Sequence, residues 1–173
     1  VCINALKICE NMNINNKNDL QIIVLSALGH DIWDHKYIKV DSINTIKSLF
    51  DTDLIELGIL AMQRDLIIRI IDSISFSKEY LLRKEKREFD LEVPEEKLRN
   101  IVSDADKLEA LGSRCIKRMI DYEINSHNEV VQVEEHIKHI TRHCKEKLYL
   151  LIDEKYIKTP LGLELAQPLM LEM

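Results

Sequence analysis

Apolar positions recur at three- and four-residue spacing along almost the whole chain, and no succession of strands and turns appears, so the pattern predicts helices throughout. The opening segment VCINALKI sets Ile3, Leu6 and Ile8 near one side of a helix. The polar breaker NMNINNKND separates it from LQIIVLSALGHDI, a second helix with Asp19 as its expected cap, apolar through Leu28 and therefore expected to be buried. From Asp41 the chain reads SINTIKSLF and then DTDLIELGILAMQRDLIIRIIDSIS. Ser42 and Asp53 are the expected caps there, and Ile55, Ile59, Met62, Leu66, Ile70 and Ile74 form the expected core stripe. The run SKEYLLRKEKREFDLEVPEE, residues 77–96, is dense in alternating charge, and its Pro94 disfavours helix at Val93, so it reads as a solvated surface excursion. A helix from Glu95 carries Leu98, Ile101 and Val102, and Leu108, Leu111, Cys115, Ile116 and Met119 continue the periodicity to Tyr122. A further long helix is expected from about Val130 to Asp153, and Thr159-Pro160 suits the cap and first turn of a last helix through Leu171. The expected fold is all-α, an irregular helical bundle in one domain over residues 1–173.

Composition narrows the function classes. With 173 residues, 46% of them hydrophobic, the chain can bury one sizeable core, and its four glycines and three prolines are too few for a linker-rich or strand-and-turn architecture. Twenty-four basic against thirty acidic side chains leave a net charge of -6, which argues against general nucleic-acid backbone binding while leaving small or metal-bridged anions as ligands. A mean hydropathy of -0.16 and the lack of an apolar run long enough to cross a bilayer argue against a membrane span. Cys2, Cys9, Cys115 and Cys144 form no C-x-x-C pair and fall in apolar helical patterns, which suits reduced thiols and a cytoplasmic location. The chain opens at Val1 already inside an apolar pattern, and we expect it to be the inside of a longer protein.

Candidate chemistry gathers at two places. The buried second helix ends in Gly29, His30, Asp31, Trp33, Asp34, His35 and Lys36, and adjacent His30 and Asp31 at a helix end can converge on one ion. Asp104 follows Ile101-Val102 at the expected end of one helical piece and start of another, so it reads as a site residue or as an N-cap to a helix starting near Ala105.

The strings LSALGHDIWDHKY and IVSDADKLEALG, at this separation, strongly resemble the HD superfamily of metal-dependent phosphohydrolases, whose signature is a His, a later His-Asp doublet and a final Asp. They resemble more narrowly its small single-domain bacterial-type members, some assigned nucleotide phosphohydrolase activity that includes pyrophosphate release from nucleoside triphosphates. HCKEKLYLL and TPLGLELA are similar to that group's closing segments, so the resemblance spans nearly the whole chain. It implies His30, Asp31 and Asp104 as metal ligands. Val1 to Gly29 contains no histidine, and the resemblance places the first His of the signature just upstream of Val1.

A mixed imidazole and carboxylate set suits one divalent ion, Mn, Mg, Co, Fe, Ni or Zn, with positions left for water and a phosphate oxygen. The expected reaction is hydrolysis of a phosphoester or phosphoanhydride in a nucleotide or related small phosphate compound. Asp34 could orient or deprotonate the attacking water, and Lys36 and Lys107 could hold charge on phosphoryl oxygens, although each also reads as an ordinary surface charge. Arg142, His143 and Lys147 could line the phosphate side of the cleft. Asp106 and Glu109 flank the last ligand. His136, His139 and His143 share one helical stripe that we read as a solvated or partly buried face, and Trp33 as packing beside the site. Two other classes stay open: an HD-fold module that binds a nucleotide or partner without turnover, and a structural helical adaptor. Exposed aliphatics on such a chain could also support a homodimer.

Overall fold

The computed structural model describes residues 1–34, 38–126 and 133–173. The helices run α1 Cys2–Asn11, α2 Lys17–Gly29, α3 Ile43–Glu56, α4 Ala61–Ser73, α5 Phe76–Lys84, α6 Val93–Glu109, α7 Ser113–Ser126, α8 Val133–His143, α9 Leu150–Asp153 and α10 Pro160–Leu171. A 3-10 turn at Val40–Ser42 leads into α3, and a π-helical turn at Cys144–Leu148 joins α8 to α9. No strand occurs among the described residues, so the fold is all-α.

The chain forms two compact units, Val1–Ser103 and Asp104–Met173, and the division falls inside α6. In the first unit α2 packs on α1 and α4, and α3 on α4. Its buried apolar side chains include Ala5, Ile8, Ile23, Leu54, Ile67, Ile70, Ile101 and Val102. In the second, α7 packs on α8, and the π-helical turn on α8 and α9, with Leu108, Leu111, Cys115, Cys144, Leu148, Leu151, Tyr156, Ile157 and Ala166 buried.

Local chemistry sets the helix ends. Asn16 caps α2, its side chain accepting from the Asn18 and Asp19 backbone N–H groups at 2.8 and 3.3 Å, so the cap stands three residues before the expected Asp19, which lies inside the helix. Thr159 caps α10 as expected, accepting from Gly162 N, with Pro160 in the first turn. The expected helix from Asp53 through Ile74 is broken. Gly58, at φ +74°, turns the chain after α3, and the N–H groups of Gly58 and Ile59 close back on the Ile55 and Leu54 carbonyls while Leu54 and Ile59 are both buried. The phase of the stripe is lost across that turn, which leaves Ile55 and Met62 exposed and makes Ile67, Ile70 and Ile71 the buried face of α4. Asp53 lies within α3, and Ser42 precedes it without a side-chain cap bond.

The charged run departs from a purely solvated excursion at its start. Residues 76–84 are α5, and Glu79 is buried against Arg99 of α6. Lys84 to Glu88 and Glu92 to Pro94 are exposed. Pro94 falls in the first turn of α6, where its missing N–H costs nothing, so the helix starts at Val93 rather than Glu95. Glu95 reaches back to the Glu92 N–H at 3.1 Å and takes a two-pronged bond from Arg69 at 2.7 and 2.9 Å; the Arg69 guanidinium holds its carboxyl below the usual range.

Candidate functional site

α2 buries one face, Ile22, Ile23, Ser26, Ala27 and Gly29, and leaves Leu28 exposed, so it is not buried all round as its apolar run suggested. A Cβ on Gly29 would lie 2.9 Å from Phe50 Cζ on α3 and 3.0 Å from Ile71 Cδ1 on α4, so any side chain there would have to push back the Phe50 ring or the Ile71 tip. The chain then stays in tight turns, with the Ile32 N–H on Gly29 O and the Asp34 N–H on Asp31 O. Trp33 is buried, its ring edge-on to Phe50 at 5.7 Å, its Nε1 donating to Asp72 Oδ1 at 3.0 Å. Trp33 therefore packs beside the doublet turn.

His30 and Asp31 come together on this turn. His30 Nδ1 lies 3.0 Å from Ala27 O, and a carbonyl only accepts, so Nδ1 carries a proton and Nε2 is the lone-pair nitrogen of the neutral ring. That Nε2 lies 3.1 Å from Asp31 Oδ2. Two electron-rich atoms this close require a positive centre, either a second proton on the ring or a cation. Ligands at right angles on an ion with ~2.1 Å bonds stand ~3.0 Å apart, so the pair fits two adjacent positions of one coordination shell.

Asp104 sits inside α6, neither at a helix end nor as the N-cap its position suggested, because α6 runs on without interruption to Glu109. It is fully buried. Its Oδ2 accepts from the backbone N–H groups of Lys158 and Thr159 at 2.9 and 2.6 Å, while Oδ1 is buried with no hydrogen-bond partner. Burial pushes its carboxyl above the ordinary 3.8, against the opposing pull of the Thr159 bonds, the Lys107 charge and the Lys158 N–H. One oxygen is occupied structurally and the other is left as a donor, which suits a single-bond metal ligand.

Lys107, one turn along, is also buried, and its Nζ donates to Tyr156 O at 2.7 Å. α6 thus grips residues 156–159 with a cation on a carbonyl and a carboxylate on two N–H groups, a positioning duty that the spacing of Lys107 did not suggest. Arg142 and His143 are exposed at the end of α8, and Lys147 is half-buried in the π-helical turn. Asp34 is half-buried just past the doublet, and Lys36 lies outside the described residues. Among the described residues, no three His, Cys, Asp or Glu side chains are grouped as a metal would require; His30 and Asp31 belong to the first unit and Asp104 to the second. No helix among the described residues is long and apolar enough to cross a membrane.

Sequence reasoning missed Asp72 and Lys47. Lys47 donates to Asp72 Oδ2 and lies 5.1 Å from the Trp33 ring centroid, and no local motif marks either residue.

No family model and no curated protein matches the chain. Solved structures share its fold. A Bacillus subtilis YpgQ crystal structure is 27% identical, with 99% of this chain and 79% of that one covered at a TM-score of 0.71. A Lactobacillus plantarum protein is 21% identical, with 98% and 77% covered and a TM-score of 0.70. Bacillus subtilis YpgQ in complex with ADP matches at 24% identity, with 99% and 76% covered and a TM-score of 0.67.

Proposed function

We propose that this chain is a cytoplasmic, metal-dependent phosphohydrolase acting on a nucleotide or related small phosphate compound, with His30, Asp31 and Asp104 as ligands. The observation that carries the reading is the approach of His30 Nε2 to Asp31 Oδ2 within the string that resembles the HD signature. The orphaned buried Oδ1 of Asp104 supports it, and the ADP bound to Bacillus subtilis YpgQ supports a nucleotide as the ligand class.

A divalent ion at these groups would supply a water of lowered pKa and neutralise phosphate charge. The residues do the rest. The Nδ1 bond to Ala27 O fixes the His30 ring so that Nε2 presents its lone pair. Asp34, held just past the doublet by the Trp33 anchor, takes the proton of the attacking water or orients it. Lys36 and the Arg142, His143 and Lys147 group hold phosphate oxygens. Lys107 fixes the 156–159 segment whose N–H groups orient Asp104.

The test is hydrolysis of a nucleotide panel by the full chain with Mn or Co, alongside calorimetric titration of the metal. Turnover that Asp31→Ala and Asp104→Ala abolish is the expected result. Nucleotide binding without any turnover would replace the enzyme with a silent binding module, and neither metal uptake nor nucleotide binding would leave a helical adaptor.

A further inference from the structure

The turn that carries the doublet is only five residues long from Gly29 to Trp33, and both of its ends rest on the same ring. A Cβ built on Gly29 would come within 2.9 Å of Phe50 Cζ, and the Phe50 ring meets the Trp33 ring edge-on at 5.7 Å. His30, Asp31 and Ile32 therefore span two fixed points. The first is fixed by packing alone. The second is also fixed by polarity, because the indole N–H donates to Asp72 Oδ1 at 3.0 Å, which sets the rotation of the ring and not merely its burial. Asp72 in turn gives its other oxygen to Lys47, whose ammonium lies beside the Trp33 ring at 5.1 Å, and Lys78 donates to Asp72 O at 2.8 Å at the end of α4. Both carboxylate oxygens of Asp72 are thus engaged, so it is not itself a competing ligand.

We infer that Asp72 is a positioning residue for the doublet, acting through the Trp33 indole, and this rests on the metal reading proposed above. Hydrogen-bonded partners one step removed from a metal ligand commonly govern affinity by 10- to 100-fold. A residue that acts through one more link should fall near the lower figure. Loss of the indole bond lets the ring turn about its attachment, and Asp31, two residues away, moves with it.

The test is calorimetric titration of Co into the full chain and three variants. Trp33 is the chain's single tryptophan, so its emission follows the same titration wherever the indole is present. Asp72→Ala and Trp33→Phe should each bind Co roughly tenfold more weakly than wild type. Asp72→Asn keeps an oxygen acceptor for the indole while losing the charge that pairs with Lys47, and should stay within about threefold of wild type. That rescue separates positioning from a general loss of stability, which unfolding midpoints measured in parallel would report. Wild-type affinity in both Asp72→Ala and Trp33→Phe would overturn the inference with the metal reading intact, and so would Asp72→Asn binding as weakly as Trp33→Phe. Should Asp72→Ala fail to fold, Trp33→Phe and Asp72→Asn decide between the same outcomes. No Co uptake by wild type would instead overturn the metal reading, and the inference with it.

Discussion

Glu79→Ala should be among the most destabilising single changes in the first unit. The Arg99 side chain is 1% exposed and that of Glu79 4%, with Nη2 to Oε2 at 2.9 Å. Arg99 also donates from Nε and Nη2 to Ser73 O at 3.1 and 2.6 Å and from Nη1 to Asn100 Oδ1 at 3.1 Å, and its guanidinium stacks 4.5 Å from the Phe89 centroid. Those other partners are neutral. Truncating Glu79 leaves a cation buried among uncharged acceptors, and removing one member of such a pair costs about 3–5 kcal/mol. Against a typical total of 5–15 kcal/mol this is a large fraction. At roughly 2–4 °C per kcal/mol for a chain of this size, the thermal midpoint should fall by about 10 °C.

Glu79 also pairs with Arg83 at 3.1 Å, one turn along α5, and that contact has to be separated from the first. The Arg83 side chain is 35% exposed, and pairs of this spacing contribute about 0.3–0.5 kcal/mol, so Arg83→Ala should cost little. Replacing both partners, as in Glu79→Leu with Arg99→Met, should recover most of the loss because no charge is then left buried. Urea unfolding of the full chain and these variants measures all three. A Glu79→Ala cost no larger than that of Arg83→Ala would show that the buried cation is compensated elsewhere and would refute the reasoning.

Two further outcomes follow from the candidate site. Burial raises the Asp104 carboxyl above its ordinary value, so the folded chain holds that proton more tightly than the unfolded one. The resulting stability is complete below the ordinary value and is lost as pH rises through the raised one, so the cation-free chain should weaken across that window relative to Asp104→Asn, as urea midpoints over a pH series would show. A wild-type midpoint that climbs relative to the variant there would reverse the sign. Gly29→Ala should cost about 1–3 kcal/mol by forcing the new methyl against Phe50 and Ile71, and should shift Trp33 emission through the displaced Phe50 ring. A neutral substitution would mean that Phe50 and Ile71 yield to a methyl group without cost, and would refute the close seating of α2 on α3 and α4.

What could be read along the chain was what neighbouring residues decide. The start of α10 was legible because Thr159 and Pro160 carry both the cap and the first-turn preference themselves, and the His-Asp doublet was legible because its two donors are adjacent. The break at Gly58 was not, since a lone glycine inside a run that keeps its three- and four-residue spacing looks like a tolerated helix position until Leu54 and Ile59 are both buried around the turn. Glu79 failed for the converse reason. It lies in a run of alternating charge that looks solvated, and Arg99, twenty residues away, is the buried cation it pairs with. Asp72 resembles any charge on the outer side of α4, and its significance depends on an indole thirty-nine residues earlier.

Asp104 carries the same lesson into the chemistry. If its task were only to accept the Lys158 and Thr159 N–H groups, asparagine would supply an oxygen there without burying a charge, and the surroundings leave little slack: a Cβ on Gly162 would fall 3.0 Å from Oδ2 and 2.5 Å from Thr159 Oγ1. The carboxylate instead bears the desolvation that raises its pKa and keeps Oδ1 without a partner. An unsatisfied buried acceptor costs about 1–3 kcal/mol, more when charged, and a bound cation would offset that cost by occupying the idle oxygen. The Asp104→Asn comparison therefore has two sides. The same substitution that flattens the pH dependence of the cation-free chain should remove the stabilisation that added Mn or Co brings, and a variant still stabilised by those ions would mean that Oδ1 of Asp104 is not where they bind.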